Sequence, residues 1–310
     1  MKTFVVTGAS GYIGSHMCYE LRQAYSDCKI IAIDRVQKHK LNHLYDDFVL
    51  MDLAKSNFHV FEREKPECIF HFAASTLVPQ GEHNPYHYYY NNVMSLTKVL
   101  DEAIYAGVKN FIFSSTCAVY GPVKKPVSEM MSMNPQSVYA KSKAMCEEIL
   151  QAAEREHDIR AGILRYFNAA GRNVEADLYE EHDPETHLIP NIVRDYKLDL
   201  YGKDFDTPDG TAIRDYIHVT DICRSHIRAY EYMEEKNKGI VCNIGTGKGY
   251  SVLQVVDIVS QVMGRNVDLE FHDRRPGDVD CLISDVNRMK NILTFEPEHD
   301  MVSIIKSMRN

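Results

Sequence analysis

The run Tyr139-Ala140-Lys141-Ser142-Lys143 places a phenol and an ammonium four residues apart, which on a helix is the same face. A tyrosine of ordinary pKa near 10 is a poor base at neutral pH, and lowering it by ~3 units takes roughly 4 kcal/mol. An ammonium about 4 Å away contributes on that order at an effective dielectric of 20. The pair therefore suits general-base work on a hydroxyl. Ser114-Ser115-Thr116 closes an apolar run, where Thr116 can hydrogen-bond the reacting hydroxyl and relay its proton. Tyr-x-x-x-Lys also occurs as a plain surface pair, so its weight depends on what accompanies it.

What accompanies it is Thr7-Gly8-Ala9-Ser10-Gly11-Tyr12-Ile13-Gly14, with glycines spaced G-x-x-G-x-x-G between an apolar run and a helical stretch. Gly8 can take the tight turn, Gly11 lets a pyrophosphate approach backbone N–H groups, and Gly14 lets the helix pack closely on the strand. Asp34 ends the second apolar run, twenty residues after Gly14. A carboxylate there binds both ribose hydroxyls and repels a 2′-phosphate. The expected cofactor is NAD; Arg35, beside Asp34, is the one feature that would pair with a 2′-phosphate. Asp52, after the third run, can accept from an adenine amino group. Phe72-Ala73-Ala74, after the fourth, are small enough for a dinucleotide to cross the sheet edge, although the alanines serve tight packing equally well. A nicotinamide cation beside Tyr139 would add to the field that acidifies it.

Apolar runs must position these groups. They fall at Phe4–Thr7, Lys29–Asp34, Phe48–Met51, Cys68–Phe72, Phe111–Ser115 and Ala161–Tyr166. Helical stretches lie between them, at 12–24, 88–106 and 137–157. Short apolar strands alternating with helices predict an α/β chain, a Rossmann-type doubly wound parallel sheet with right-handed crossovers. The expected NAD-binding domain spans 1–171, with a return segment near 215–245. Residues 172–310 would form a smaller mixed α/β lobe for substrate, beginning with a polar loop at 172–187. Further strands are expected at 216–219 and 239–245, and a helix at 252–263.

Composition narrows the function. With 310 residues, 45% of them hydrophobic and 25% charged, the chain can build a sizeable core. A net charge of -9 argues against a nucleic-acid surface. The apolar start at Phe4-Val5-Val6 is too short for a secretion signal, and no run is long enough to span a membrane. The eight cysteines never form C-x-x-C, which favours buried reduced thiols and a cytoplasmic protein. Among the fourteen histidines no H-x-x-x-H is read on one helical face beside a third ligand, so no metal site is expected.

Taken together, the glycine turn, Asp34, the Ser-Ser-Thr strand end and Tyr139/Lys143 resemble the extended short-chain dehydrogenase/reductase family. Within it, the chain is similar, over nearly its whole length, to the branch that acts at C4 of UDP-hexoses. Tyr89-Tyr90-Asn91-Asn92-Val93, Arg165-Tyr166-Phe167-Asn168, His187-Leu188-Ile189-Pro190 and Arg274-Arg275-Pro276-Gly277-Asp278 support this. The most specific stretch is Asp209-Gly210-Thr211-Ala212-Ile213-Arg214-Asp215-Tyr216-Ile217-His218-Val219. The resemblance implies that Tyr12 and Ile13 bind the cofactor pyrophosphate, Asp34 the ribose, and Asp52 and Leu53 the adenine. Phe72, Ala73, Ala74, Ser75, Thr76 and Asn91 would line the cofactor, and Phe167 would pack near the nicotinamide. Thr116, Tyr139 and Lys143 would do the chemistry. Asn168, His187, Leu188, Asp199, Leu200, Tyr201, Arg214, Arg275, Asp278 and Leu282 would surround a UDP-sugar. Arg214 and Arg275 suit a diphosphate and Asp278 suits ribose hydroxyls, whereas Arg274 reads as a solvated charge. The resemblance also implies a homodimer through the helices at 88–106 and 137–157.

Three positions depart from the family pattern. Thr76 stands where several members have Lys, and His187 where Asn is common. Leu282 is intermediate between the bulky Tyr and the small Cys or Ser that exclude or admit an N-acetyl group. Related UDP-sugars (N-acetylhexosamines, glucuronate, pentoses) therefore stay open as substrates. A 4,6-dehydratase would need an acid and a base directly after Thr116, and Cys117 and Ala118 supply neither. A silent NAD-binding sensor would be expected to lose Tyr139 or Lys143.

Overall fold

Each of the first six apolar runs becomes a strand in the computed structural model, which describes residues 1–310 apart from 57–58, 124–125, 182–184, 276 and 310. Part of the polar loop and Pro276 of the Arg-Arg-Pro-Gly-Asp run thus lie outside the described residues. The strands are β1 (Lys2–Thr7), β2 (Cys28–Asp34), β3 (Asp47–Leu50), β4 (Cys68–His71), β5 (Asn110–Thr116) and β6 (Arg160–Tyr166). They lie in the order β3-β2-β1-β4-β5-β6, with Ile240–Ile244 as a seventh strand beyond β6. The pairings from β3 to β5 are all parallel. This is a doubly wound sheet whose winding reverses between β1 and β4, where such folds bind ligands beyond the strand ends.

The strands are buried on both faces because helices cover them. Val5, Ile31, Ile33, Ile69, Phe111 and Phe113 share a core with Leu96, Val99, Leu100 and Ala103 of the helix Ser95–Ala106, and with Cys146 and Leu150 of the helix Val138–Glu156. Each such side chain contributes roughly 1.5–3 kcal/mol on burial. The helix expected without interruption over 88–106 is instead Pro85–Tyr88, a π-helical stretch Tyr89–Met94 and then Ser95–Ala106. The extra residue per turn there brings Asn92 inward and leaves Tyr90 and Met94 outside.

The chain divides into two compact units. The first comprises Met1–Val119, Pro135–Arg165 and Cys223–Cys242; the second comprises Tyr120–Asn134, Tyr166–Ile222 and Asn243–Asn310. In the second unit the strand Ile213–His218 is the organiser. It pairs antiparallel with Gly249–Ser251 and parallel with Cys281–Leu282 and Asn168–Ala170. A separate parallel pair joins Lys197–Tyr201 to Asp268–His272. Helices Leu188–Asp195, Val252–Met263 and Met301–Ser307 close this unit's own core around Ile192, Leu200, Val255 and Ile304. The strands at 168–170, 197–201 and 268–272 and the helix Val219–Lys236 were not anticipated from periodicity.

Candidate active site

In the first unit the glycine turn is dictated by crowding. Gly8 has φ +70°, and a Cβ there would lie 2.7 Å from the Ala73 nitrogen. A Cβ on Gly14 would sit 2.1 Å from the Gly8 carbonyl oxygen, so helix and turn touch backbone to backbone. The helix Tyr12–Ala24 starts from Gly11 with no side chain capping its first N–H groups and no acidic residue in its first turn. An anion is what such an end accepts. The Ser10 hydroxyl is buried and has no hydrogen-bond partner among the described residues, a second feature that a phosphate oxygen would satisfy. Asp34 is held in place, its Oδ2 accepting from Ser10 N at 3.0 Å and its Oδ1 from Val36 N at 3.2 Å. Arg35 is exposed. These residues fit a dinucleotide.

Other expected cofactor residues take defined places. Burial pushes the Asp52 carboxyl up, but bonds from Lys55 and Ala54 N, with Arg35 nearby, hold it below the usual carboxylate range. Leu53 is buried and Tyr12 meets His16 edge-on; the Ile13 carbonyl accepts from Cys223 Sγ. Phe72 packs on the His226 ring at 4.9 Å, and Ala73 and Ala74 are half-buried beside it while Thr76 is exposed. Asn91 Nδ2 donates to Ser75 Oγ at 2.9 Å. The neighbouring Asn92, to which no role was assigned from sequence, does more. Its side chain accepts from Ser75 N at 2.7 Å and donates to Ser75 O and to Ser142 Oγ, both at 3.0 Å. It thereby latches the segment after β4 to the helix of Tyr139. Its signal was the doubled Asn, of which only one side chain can face inward.

That helix, Val138–Glu156, begins where Ser137 Oγ accepts from Ala140 N and Glu82 accepts from Val138 N at 2.8 Å. Its sheet-facing stripe is Ala140, Lys143, Glu147, Leu150 and Ala153. Lys143 is only 2% exposed. Its ammonium donates to the Ser114 carbonyl at 2.8 Å and sits 4.6 Å from the centre of the Phe113 ring. Burial lowers its pKa to about 8, with Cys146 and Glu147 acting the other way. Tyr139, one turn earlier, is half-buried. Thr116 closes β5, its Oγ1 accepting from Ala118 N at 3.2 Å. Beneath them His71 lies 2.9 Å from Thr7 Oγ1 and stacks on Phe113. Burial, then Lys143, drives its pKa down to about 3, so the imidazole is neutral.

In the second unit the structure gathers part of the expected substrate set. Arg214 Nη1 donates to the Ile213 and Val279 carbonyls, and its Nη2 lies 3.8 Å from Asp278. Leu282 is buried and pairs in register with Arg214. Arg275 stacks over the Tyr201 ring at 3.7 Å, and His272 stacks on the same ring and faces Asp199 at 3.4 Å. Leu200 is buried in the core. Phe167 is buried, its N–H donating to Ile244 O, and Asn168 pairs with Tyr216. His187 instead engages carboxylates, with Glu180 at 2.5 Å and Glu185 at 3.6 Å, immediately before half-buried Leu188. Glu180, Glu185 and His187, and likewise Asp199, Glu270 and His272, bring ligand-type atoms close together, and in each cluster a histidine nitrogen faces the carboxylates.

Arg274 is exposed, as a solvated charge would be, but it also has partners. Its guanidinium stacks on Phe205 at 4.1 Å, donates to the Asp278 carbonyl and pairs with Asp280 at 2.9 Å. It anchors the loop that carries Arg275 and Asp278. The long motif at 209–219 is also mostly scaffold. Asp209 accepts from Thr211 and Ser251. Fully buried Asp215 accepts from Thr246, Gly247 and Ser284.

A parallel sheet reversing at β1/β4, an uncapped glycine-started helix and a Tyr/Lys helix beside β5 define a nucleotide-dependent enzyme that moves hydride and proton at a hydroxyl-bearing carbon. Residues 4–245 match the family model described as "NAD dependent epimerase/dehydratase family". The chain is 37% identical to UDP-glucose 4-epimerase of Lactobacillus helveticus, covering 97% of this chain and 94% of that protein. It is similar to the crystal structure of UDP-glucose 4-epimerase from Brucella ovis in complex with NAD (TM-score 0.93, 35% identity, 99% and 97% of the two chains). It also resembles the UDP-Glc/GlcNAc 4-epimerase from Campylobacter jejuni (TM-score 0.83, 35% identity, 99% and 98%). The chain belongs to the NAD dependent epimerase/dehydratase family.

Proposed function

We propose that the chain inverts C4 of UDP-hexoses, interconverting UDP-glucose and UDP-galactose through a transient 4-keto sugar, with NAD as cofactor. The observation that carries this reading is the buried Lys143 ammonium, fixed on the β5 carbonyl of Ser114 one turn from Tyr139. NAD, when bound, would supply a reversible hydride acceptor. Thr116 orients the C4 hydroxyl, and Tyr139 as phenolate takes its proton while Lys143 stabilises the phenolate charge. Tyr139 gives the proton back once the keto sugar has presented its other face. Arg214 and Arg275 hold the diphosphate, and Tyr201, Asp199 and Asp278 the uridine, so binding energy resides in the part of the substrate that does not turn. Thr116 is followed by Cys117 and Ala118, which supports epimerisation over dehydration.

A second reading, action on UDP-N-acetylhexosamines, is supported by Leu282 at the place linked to N-acetyl discrimination and by the likeness to the Campylobacter enzyme. Product analysis with UDP-galactose, UDP-N-acetylglucosamine and UDP-glucuronate in parallel separates the two. Tyr139→Phe is expected to lower turnover at least about a hundredfold with folding intact; near-normal turnover would sink the assignment. The protein is further proposed to work in the cytoplasm, where its eight thiols, seven of them buried, stay reduced. It is also proposed to act as a homodimer. Tyr86, Tyr90 and Met94 follow one another at intervals of four, all exposed, and Met145 is exposed on the second helix. In the described residues no helix is long and apolar enough to cross a membrane.

A further inference from the structure

Glu147 lies one helical turn beyond Lys143 and is fully buried. Its carboxylate accepts from Arg165 Nε at 3.0 and 3.1 Å, from Arg165 Nη2 at 2.6 Å, and from Ser115 Oγ. Arg165 on β6 and Ser115 on β5 are themselves buried. One carboxylate therefore joins the helix of Tyr139 and Lys143 to the strand that ends at Thr116 and to the next strand. Apolar side chains of similar volume would hold these elements together at least as strongly, because a buried ion pair loses in desolvation most of what it gains in attraction. Apolar contact would not fix the rise and rotation of the helix, whereas a fork of directional bonds does.

We propose that Glu147 is a positioning residue of the active site, which sets the register of the catalytic helix on the end of β5 and places its negative charge beneath the Lys143 ammonium. The proposal rests on Tyr139 and Lys143 being the reacting pair. Ser115 is adjacent to Thr116, and Lys143 is four residues before Glu147, so both ends of the catalytic set are tied within one turn or one peptide of this carboxylate. The groups around Lys143 make the charge matter. Its own helix supplies Tyr139, Cys146 and Glu147. Strand β4 supplies His71, which is neutral. Strand β5 supplies the Ser114 carbonyl and the Phe113 ring, and Arg165 of β6 is held on the Glu147 carboxylate. Of the buried pair, it is the Glu147 carboxylate that supports the proton on Lys143. Without Glu147 the ammonium loses that support and gives up its proton at lower pH, while the Arg165 guanidinium is left buried and unbalanced.

The experiment compares Glu147→Gln, the charge-free double variant Glu147→Leu/Arg165→Met, and Ser115→Ala in the full-length NAD-loaded protein with UDP-galactose. Glu147→Gln is expected to lower kcat about tenfold or more with KM within about threefold, and to move the alkaline limb of kcat down by about one pH unit. An ε-13C lysine NMR titration, with Lys143→Arg identifying the resonance, should show the same downward shift without reference to activity. The double variant should fold at least as stably yet lose rate, with the alkaline limb lowered less than in Glu147→Gln. Unchanged kcat and an unmoved limb in Glu147→Gln, with only its melting temperature lowered, would overturn the proposal. Should Glu147→Gln fail to fold, Ser115→Ala decides: a severalfold fall in kcat at constant KM supports the positioning role, and unchanged kcat rejects it. Full turnover in Tyr139→Phe would instead remove the reacting pair on which the proposal rests.

Discussion

Lys143 keeps a positive charge where water does not reach, and the cost is measurable. Unfolded, the lysine holds its proton to about 10.5; folded, to about 8. Between those values the unfolded chain binds more protons, so stability rises with pH across the window, and below pH 8 the full penalty applies. The shift corresponds to about 3 kcal/mol at most, less the lost bond to Ser114. Lys143→Met should therefore abolish turnover yet melt higher at pH 7, with the advantage fading towards pH 10; thermal denaturation at several pH values checks this. His71 gives the acid counterpart. Its pKa falls from 6.5 to about 3 on folding, so stability is lost as pH drops through that interval. His71→Gln, which can still meet the Thr7 hydroxyl, should move the acid-unfolding midpoint to lower pH, as followed by circular dichroism. Neither residue's burial is visible in a sequence, because a helix stripe containing Lys and a strand ending in His both read as amphipathic.

Among the elements, the glycine-started helix is placed by a backbone contact that leaves no room for a side chain. Gly14→Ala would drive a methyl to 2.1 Å from a backbone oxygen. The helix Tyr12–Ala24 must then tilt off β1, at a cost of several kcal/mol and with loss of cofactor retention, as denaturant titration and the nicotinamide content of purified protein would show. Strand positions, the helices at 12–24 and 252–263 and the glycine turn were legible because buried parallel strands are apolar on both faces. The π-helical stretch at 89–94 was not, since its apolar spacing differs from an α-helix by one residue per turn. The contacts of exposed Arg274 with Phe205 and Asp280 were not foreseen, because a guanidinium on an aromatic ring carries no periodic signal. The short strands at 168–170 and 197–201 were missed because they have too few residues for alternation to register.

For the molecule as a whole, the exposed stripe Tyr86, Tyr90 and Met94 is the feature to test. Tyr86 is 85% exposed, unusual for a large aromatic side chain repeated along one helix face. Tyr86→Glu combined with Tyr90→Glu should turn a dimer into a monomer in sedimentation velocity without disturbing the monomer's circular dichroism; an unchanged sedimentation coefficient would reject this face as the interface.

Residue order alone determined the fold class and the glycine turn and singled out Tyr139, Lys143 and Thr116 as the proposed reacting set, because those features depend on local spacing and on the two periodicities of helix and strand. Tertiary structure alone decided which charges are buried and which polar groups meet across distant segments: Asn92 with Ser75 and Ser142, Glu147 with Ser115 and Arg165, Asp215 with Thr246 and Ser284. Those pairings join residues 17 to 69 positions apart. They are selected by the desolvation of each polar atom, which no stretch of sequence expresses until the sheet and helices have closed around it.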